Sequence, residues 1–282
     1  MKIAVLLTCY NRMQTTLDCL NRFFSCKTPS HFCLDLWVVD DGSTDGTGEA
    51  ITAESKRWYK EGWNGQLYLL RGTGHLYWCG GMRLAWQHAS EKMDYDGYLW
   101  LNDDVVWDAS KMEMFFAMLP NTLDSILAGA CQDPNTLKAS YGFIGGNRPV
   151  EPGKGRFLTL KEGMNGNCVF IPRNVFRKVG NLLDCYIHLG GDFDYGWRAL
   201  RKNVQVALTP FFIGTCSRHD VIPKFLQPRL PIRERWRLFR HPKERISLGA
   251  YRKLNVARFG FLGNLAVFRW PVIFIRTCWC NR

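Results

Sequence analysis

The segment GYLWLNDDVVW, residues 97–107, joins an apolar run to a cluster of polar side chains. Residues 98–101 form a short apolar run of the kind that makes a buried strand. Asn102, Asp103 and Asp104 follow directly, and carboxylates at the end of a buried strand lose hydration unless a partner compensates them. Two interpretations are open: a solvated turn that closes the strand, or a site where oxygen ligands hold a divalent cation against phosphates.

The segments before residue 97 alternate between strand-like and helix-like patterns. Strand-like segments are KIAVLL (2–7), LDLWVV (34–39), QLYLL (66–70) and GYLWLN (97–102), and helix-like segments are MQTTLDCLNRFF (13–24), residues 47–59 and MRLAWQHASEKM (82–93). Such alternation predicts βαβ units and a largely parallel sheet. Polar clusters follow three of the strands, at residues 8–12, 40–43 and 102–104. Because ligands of such sheets bind beyond the carboxyl ends of the strands, we expect these clusters to share one rim.

The familiar glycine-rich nucleotide loops are missing from the sequence. The turn after the first strand, TCYNR, has none of the glycines that let a backbone approach a pyrophosphate. GTGHLYWCGG begins with Gly-x-Gly, but Tyr77 stands at the third glycine position, and no P-loop motif occurs. A nucleotide bound by this sheet would therefore be held by acidic and aromatic groups together with a metal.

Length and composition indicate one large domain, or one domain with an appendage. The 282 residues are 46% hydrophobic and 14% aromatic, which is ample for a core. The 11 cysteines are scattered and lack paired metal-ligand spacing, so we expect reduced, mostly buried thiols in a cytosolic protein. The N-terminal MKIAVLLTCYNR is interpreted as the first strand, since a signal peptide needs a longer apolar core and a cleavage site.

The positive charge of the chain is concentrated at its C-terminal end. Residues 218–282 carry 15 Lys and Arg against 3 Asp and Glu, whereas the other residues carry 22 of each sign. The net charge of +12 therefore belongs to this segment alone. Such asymmetry favours an anionic partner, either a membrane surface or nucleic acid.

Five motifs occur in the order and at the spacing seen in family 2 glycosyltransferases. They are TCYNR, VVDDGSTDGT, WLNDDV, MNGNCVFIPRNVFRKVG and GGDFDYGWRAL. The resemblance covers roughly residues 1–220 and looks closest to bacterial rhamnosyltransferase-like members. It implies a GT-A fold, an α/β architecture with a mostly parallel central sheet flanked by helices. We expect a catalytic domain at residues 1–222 and a basic, aromatic, helical extension at residues 223–282.

The resemblance also implies a pocket for the donor's base and phosphates. Thr8, Tyr10 and Arg12 match this pocket, and Tyr10 would stack on the base, although an aromatic at a strand end is equally often a core residue. Arg71 and Arg83 are candidates for phosphate contacts, with solvated surface charges as the alternative. The aromatic segment GHLYWCGGMR is expected beside the donor sugar, with core packing of its tryptophan as the alternative.

In VVDDGSTDGT two carboxylates end a strand, and Asp40 is the one to which we assign contact with the base or ribose. A carboxylate there can accept the imide N–H of uracil or thymine, or hold ribose hydroxyls. The alternative is helix capping, because Ser43, Thr44 and Asp45 have side chains that commonly cap a following helix.

The LNDDV motif departs from the Asp-x-Asp pattern of the family, because Asn102 stands at the first acidic position. By resemblance, Asp104 binds Mn²⁺ or Mg²⁺ that bridges the diphosphate, Asn102 contacts a ribose hydroxyl, and Asp103 contributes indirectly. His219 is a candidate third metal ligand, since a neutral imidazole suits Mn²⁺, and a solvated loop histidine is the alternative. Charge neutralisation by the metal would stabilise the nucleoside diphosphate leaving group.

GGDFDYGWRAL has Gly191 where the family has the first acidic residue of a pair. Asp192 matches the catalytic position, where a carboxylate deprotonates the acceptor hydroxyl. The alternative for Asp192 is a stabilising charge at a helix N-terminus. Asp194 and Arg198 are spaced four apart, which predicts a structural ion pair.

The C-terminal segment interleaves Arg and Lys with Trp, Phe and Leu. This composition suits an amphipathic helix that lies in the plane of an anionic membrane. Residues 259–279 are interrupted by polar residues and proline, which makes them a poor transmembrane span. The alternative is a helical subdomain packed on the catalytic core, and the two are compatible.

The resemblance thus implies an inverting, metal-dependent glycosyltransferase of bacterial surface polysaccharide synthesis. It would move a sugar from a UDP- or dTDP-sugar donor to a glycan or lipid-linked acceptor, without binding nucleic acid. We expect a cytoplasmic enzyme that is peripheral at the inner face of the plasma membrane. The alternatives are a sugar-phosphate nucleotidylyltransferase, which would need a Gly-rich basic loop after the first strand, and a non-enzymatic binder of membrane or RNA.

Overall fold

The protein is an α/β structure whose computed structural model describes residues 1–146, 148–218, 230–239, 241, 247–269, 272 and 275. The helices in these ranges are α1 (Met13–Ser25), α2 (Thr47–Lys60), α3 (Tyr77–Lys92), α4 (Ala109–Met118), α5 (Arg173–Val179), α6 (Gly191–Arg201), α7 (Ile232–Phe239) and α8 (Leu248–Phe259). Short 3-10 helices span Leu119–Asn121 and Gly260–Phe268. The strands are β1 (Lys2–Cys9), β2 (Cys33–Asp40), β3 (Leu67–Arg71), β4 (Gly97–Leu101), β5 (Val106–Trp107), β6 (Ile126–Gln132), β7 (Ala139–Tyr141), β8 (Phe143–Gly145), β9 (Arg148–Pro149), β10 (Glu162–Met164), β11 (Cys168–Pro172) and β12 (Val206–Thr215).

The main sheet has the strand order β3-β2-β1-β4-β11-β6-β12-β5, with β7 beside β6. Its first four strands are parallel, as the alternating pattern predicts, and β6 and β12 are also parallel to each other. Strand β11 runs antiparallel between β4 and β6, and β5 pairs antiparallel with β12. A small antiparallel sheet, β10-β8-β9, lies apart from the main one.

Two apolar clusters cover the two faces of the main sheet. One contains Trp86, Trp100 and Tyr195 and lies under α3 and α6, and the other contains Phe23 and Phe116 and lies under α1 and α4. The cysteines of the described ranges are free thiols and most of them are buried, in agreement with the expectation from their spacing. Cys278 and Cys280 lie outside the described residues.

Helix α3 begins at Tyr77, five residues earlier than the apolar pattern indicates. The Gly80-Gly81 pair reads as a loop in the sequence, but the structure includes both glycines in the first turns of the helix. A Cβ on Gly81 would lie 2.2 Å from Oγ1 of Thr8. The glycine is therefore needed for the close approach of α3 to β1. The hydrophobic periodicity of the sequence does not indicate this approach.

The described part of the C-terminal extension is helical, as predicted. Ala250 and Ala257 of α8 are buried, and Arg201 of α6 donates to the carbonyl oxygens of Ala257 (2.7 Å) and Arg258 (3.0 Å). Helix α8 thus packs on α6. In the ranges that the structure describes, no helix combines the length and the apolar character that crossing a bilayer requires.

Candidate active site

A cleft of about 480 Å³ opens beyond the carboxyl ends of β1, β2 and β4. It is lined by Thr8, Cys9, Tyr10, Arg12, Asp41, Gly74, His75, Tyr77, Trp78, Asn102, Asp103, Asp104 and His188. The polar clusters that follow these strands therefore share one rim, as predicted. The turns after β1 and β2 also bond to each other, since the Asn11 N–H donates to Oγ of Ser43 (2.9 Å) and the Thr44 N–H to Oδ1 of Asn11 (2.7 Å).

The acidic end of the cleft is organised by Arg12. Its guanidinium donates from Nη1 to Oδ1 of Asp103 (2.9 Å) and from Nη2 to Oδ2 of Asp104 (3.2 Å). The second oxygen of Asp103 accepts the hydroxyl of Thr16 (3.1 Å), so both oxygens of this buried carboxylate have partners. Burial raises the pKa of Asp103 to about 6, although Arg12 opposes the shift. Asp104 is the more accessible member of the pair.

Asn102, which stands where the family has an acidic residue, accepts a hydrogen bond from inside the cleft. The indole Nε1–H of Trp78 donates to its Oδ1 over 2.7 Å. Trp78 itself lines the cleft at the start of α3, so the expectation that the aromatic segment borders this site is supported by its position. The amide of Asn102 thus fixes the orientation of an aromatic wall.

Thr8 and Tyr10 also line this cleft. Tyr10 is 44% exposed on the cleft wall, so it is not a core aromatic. The Thr8 hydroxyl donates to the carbonyl oxygen of Val39 (3.2 Å), which joins β1 to β2 beside the cleft.

At the end of β2 it is Asp41, and not Asp40, that lines the cleft. The Asp41 carboxylate accepts the backbone N–H groups of Gly74 (2.9 Å) and Tyr77 (2.9 Å). These bonds hold the segment that carries His75, Tyr77 and Trp78, and they support Tyr77 in a left-handed conformation at φ 54°. The prediction assigned the base contact to Asp40, because the motif does not indicate which of two adjacent carboxylates faces the cleft.

Asp40 lies outside the cleft. Its Oδ1 accepts the Ser43 N–H (2.8 Å), and its carboxylate lies against Gly48 in the first turn of α2. It shares a separate surface groove with Arg71, its register partner on β3. The assignment of Asp40 and Arg71 to the donor pocket is therefore not supported by where their side chains lie, because both face the α2 side of the sheet.

Arg83 contacts the protein backbone and lines no part of the cleft. Its Nη1 donates to the carbonyl oxygens of Leu183 (3.2 Å) and Tyr186 (3.3 Å). These bonds tie α3 to the segment before α6. Arg83 thus supports the segment that brings His188 to the cleft. No pattern in the sequence distinguishes His188 as a cleft residue.

Asp192 lies in the first turn of α6, one layer behind the cleft wall. Its Oδ2 accepts the Gly166 N–H (3.2 Å), and its Oδ1 accepts the Phe193 N–H (2.9 Å). Gly166 in turn lies against the ring of Trp78, since a Cβ there would come within 2.4 Å of that ring. Burial raises the pKa of Asp192 to about 6, and the backbone hydrogen bonds limit the rise.

Asp194 and Arg198 form the ion pair that their spacing predicts. Arg198 Nε donates to Oδ2 of Asp194 over 2.6 Å, and the Tyr186 hydroxyl donates to Oδ1 over 3.1 Å. The remaining donors of Arg198 reach the carbonyl oxygens of Val179 and Asn181. The pair therefore holds α6 to the preceding loop.

The fit of a divalent cation depends on the carboxylates of Asp103 and Asp104. Mg²⁺ sites commonly use one or two carboxylates and complete their coordination with substrate phosphates and water. Asp104 presents such an oxygen at the cleft, although Arg12 shares the carboxylate. The residues that the structure describes include no group of three His, Cys, Asp or Glu side chains suited to a metal, and His219 lies outside them.

The sequence profile described as Glycosyl transferase family 2 matches residues 4–180 of this chain. This match covers more than half of the chain and includes most of β1, all of β2 and β4, and the acidic rim. A search among curated protein sequences finds no significant match.

Solved glycosyltransferases share the fold. Mannosyltransferase PcManGT from Pyrobaculum calidifontis, solved in complex with GDP-Man and Mn²⁺, has a TM-score of 0.53 at 13% identity, and the match covers 99% of this chain and 88% of that chain. S. aureus TarS has a TM-score of 0.58 at 13% identity, and the match covers 99% of this chain and 54% of that chain. TarS 1–349 in complex with UDP-GlcNAc has a TM-score of 0.55 at 13% identity, and the match covers 99% of this chain and 89% of that chain. The likeness confirms the predicted α/β fold with its helical C-terminal extension.

Proposed function

The chain belongs to glycosyltransferase family 2, and we propose that it transfers a sugar from a nucleotide diphosphate donor with inversion at the anomeric carbon. The observation that carries the proposal is the acidic pair Asp103–Asp104 at the mouth of a cleft beside Tyr10. Family membership makes the chain a glycosyltransferase, and so excludes the nucleotidylyltransferase and the non-enzymatic binder as its primary activity.

The donor's nucleotide would occupy the cleft between the ends of β1 and β2. Tyr10 is exposed there and offers a ring on which a base can stack. Asp41 and its hydrogen-bonded loop form the opposite wall. The diphosphate would then lie toward Arg12 and Asp104, because these are the accessible charged groups at the other end.

We assign the metal to Asp104, with Asp103 behind it, and the cofactor to Mn²⁺ or Mg²⁺. When bound, the cation neutralises charge on the diphosphate leaving group. His219 stays a candidate ligand by sequence alone. The complex of PcManGT with GDP-Man and Mn²⁺ supports this cofactor class and a nucleotide-sugar donor for the present chain. The complex of TarS with UDP-GlcNAc supports the donor class as well.

Asp192 is our candidate for the base that accepts the proton of the attacking acceptor hydroxyl. A base with a pKa of about 6 is ionised at neutral pH and still basic enough to take up a proton. One base and one displacement suffice for inversion, in which the hydroxyl oxygen bonds to the anomeric carbon as the bond to the diphosphate breaks. The contact between Gly166 and Trp78 links this carboxylate to the cleft wall.

The acceptor is proposed to be a glycan or a lipid-linked sugar at an anionic membrane surface, in bacterial surface polysaccharide synthesis. The 3-10 helix Gly260–Phe268 supports a membrane contact, since Phe261 is 86% exposed and Phe268 is 73% exposed. Helix α8, which precedes this segment, carries Arg252, Lys253 and Arg258. We keep residues 1–222 as the catalytic domain and residues 223–282 as the membrane-associating extension.

A donor screen tests the proposed function. Purified protein with Mn²⁺ should be stabilised against thermal unfolding by at least one of UDP-, dTDP- and GDP-sugars, and it should slowly release the nucleoside diphosphate from that donor. The same release assay is applied to Asp192→Asn. Its matched control is Asp184→Asn, a substitution at an exposed site. If no donor stabilises the protein and no donor releases its nucleoside diphosphate, the proposal is contradicted.

A further inference from the structure

Arg12 bridges the two carboxylates that the proposed function gives to the metal. It lies between β1 and α1, and its side chain is 41% exposed at the cleft. One guanidinium nitrogen contacts Asp103 and another contacts Asp104, at 2.9 and 3.2 Å. A guanidinium carries five N–H donors in a planar fork, so further donors remain for an anion in the cleft.

The charge balance at this end of the cleft differs from that of an Asp-x-Asp site. Asp103 and Asp104 supply two carboxylates, as many as an Asp-x-Asp motif has, but Arg12 pairs with both of them and compensates one of the two negative charges. A divalent ion that approaches Asp104 meets the positive charge of Arg12, which is paired with the same carboxylate. Repulsion between like charges at such a distance weakens metal binding, and a permanent cation beside the diphosphate position favours phosphate binding.

We propose that Arg12 is a built-in cation of this donor site, which competes with the divalent ion for Asp103–Asp104 and retains the donor's diphosphate when no metal is bound. The inference rests on the proposed function for the identity of the anion. The competition for the carboxylates, in contrast, depends only on the ion pairs of the protein.

The first test measures Mn²⁺ binding to the protein without nucleotide, by the electron paramagnetic resonance signal of free Mn²⁺. Arg12→Met should bind Mn²⁺ roughly tenfold more tightly than the wild type, because it loses the charge and frees one oxygen of Asp104. Arg12→Lys keeps the charge and should stay within about threefold of the wild type. If Arg12→Met binds no more tightly, or neither protein binds, the competition is refuted.

Arg57→Met is the matched control. Arg57 also joins two carboxylates, those of Glu54 and Glu61, but on the exposed surface of α2. Its loss should leave Mn²⁺ binding unchanged. Thermal unfolding establishes that each variant is folded, and Arg12→Gln replaces Arg12→Met if the latter does not fold.

The second test measures binding of UDP, dTDP and GDP by calorimetry in EDTA and in Mn²⁺. The wild type should retain measurable affinity in EDTA for the nucleotide that it prefers, and Arg12→Met should lose at least about tenfold of that affinity. Equal binding of the wild type and Arg12→Met in EDTA would overturn the diphosphate role. If the wild type binds none of the three nucleotides even with Mn²⁺, the proposed function fails, while the Mn²⁺ titration still decides the competition.

Discussion

At the scale of single residues, two adjacent carboxylates at the end of β2 have different surroundings. Asp41 faces the cleft and accepts two backbone N–H groups of the segment that forms its wall, at Gly74 and Tyr77. Asp40 faces the first turn of α2 and accepts the Ser43 N–H. Because strand and turn residues leave the sheet in different directions, a shift of one position moves a carboxylate from one site to another.

Alanine substitutions distinguish these two positions. Asp41→Ala should weaken binding of the preferred nucleoside diphosphate by about tenfold or more, because the cleft wall loses two charge-assisted hydrogen bonds. Asp40→Ala should affect binding less, and its main effect should be a lower free energy of unfolding. Calorimetric titration and urea unfolding of both variants test this, and a larger binding defect in Asp40→Ala would restore the sequence-based assignment.

The proposed base predicts a pH dependence. Burial raises the pKa of Asp192 to about 6, so below that pH the carboxyl carries a proton and cannot accept one. Turnover at saturating substrates should therefore fall as the pH decreases through about 6. Asp192→Asn should lower turnover about 10²- to 10⁴-fold with donor affinity near that of the wild type.

The control for this variant is Asp184→Asn, at an exposed position before α6. It should retain both turnover and the acidic limb of the pH profile. If Asp192→Asn keeps more than about half of the wild-type rate, the base is another residue, and the buried Asp194 is the next candidate to examine.

Sequence reasoning found most of the residues at the acidic rim, since Thr8, Tyr10, Arg12 and residues 102–104 line the cleft. Each lies at or just after the end of a strand, where the sequence changes from apolar to polar residues. Arg71 and Arg83 do not line the cleft, because a positive charge at a strand end or in a helix does not indicate the direction of its side chain. Their neighbours in space, Asp40 and the Leu183 carbonyl, are set by tertiary contacts.

At the scale of secondary-structure elements, the site depends on how closely α3 approaches β1. Gly81 makes this approach possible, because any Cβ there would overlap the side chain of Thr8. The same helix begins with Tyr77 and Trp78, which line the cleft. The packing of one glycine is therefore coupled to the position of the aromatic wall.

Gly81→Ala should destabilise the protein by about 1–3 kcal/mol through overpacking of α3 against β1. The comparison is Gly249→Ala at the start of α8, where a Cβ would meet no atom within 4 Å. That control should be neutral or slightly stabilising, because alanine has the higher helix propensity. Urea unfolding measures both, and equal stability of Gly81→Ala and wild type would contradict the proposed close packing.

The parallel strands β1 to β4 and the helices between them follow from the alternating pattern of the sequence. The insertion of β11 between β4 and β6 does not, because it is a long-range antiparallel pairing. Hydrophobic periodicity reports only which residues are buried along a strand, and the buried run of β11 fits either direction. Strand order beyond β4 therefore required the structure.

At the scale of the whole molecule, the C-terminal extension both packs on the catalytic core and exposes apolar side chains. Arg258 of α8 donates to the Leu160 carbonyl oxygen (2.7 Å) and stacks over Trp197 of α6, which fixes the helix. The next segment, Gly260–Phe268, has four large apolar residues that are more than half exposed: Phe261, Leu262, Leu265 and Phe268. The two interpretations of the extension are therefore compatible, as the sequence allowed.

Replacing Phe261 and Phe268 together by Ser should reduce binding to anionic vesicles by at least about tenfold, because the proposed membrane contact would lose both rings. The free energy of unfolding should not change, since neither ring is buried in the protein. Co-sedimentation with vesicles of anionic and of neutral lipid measures the binding, and added salt should weaken what the basic residues contribute.

Leu123→Ser is the control for that experiment, because Leu123 is 49% exposed at a site distant in sequence from the extension. It should pellet with vesicles as the wild type does. Equal pelleting of the double variant and the wild type would refute membrane insertion by Gly260–Phe268. Substitution is preferable to deletion of residues 223–282, because deletion would expose the face of α6 that α8 covers.

The measurement that tests the central claim most directly is calorimetric titration of the donor nucleotide sugar into wild type and Asp104→Ala, each with Mn²⁺ and with EDTA. We predict one saturable site in the wild type with Mn²⁺, a weaker one in EDTA, and no enhancement by Mn²⁺ in Asp104→Ala. Asp124→Ala, an exposed carboxylate remote from the cleft, should match the wild type. An unchanged Mn²⁺-dependent affinity in folded Asp104→Ala would contradict the assignment of this cleft as the donor site.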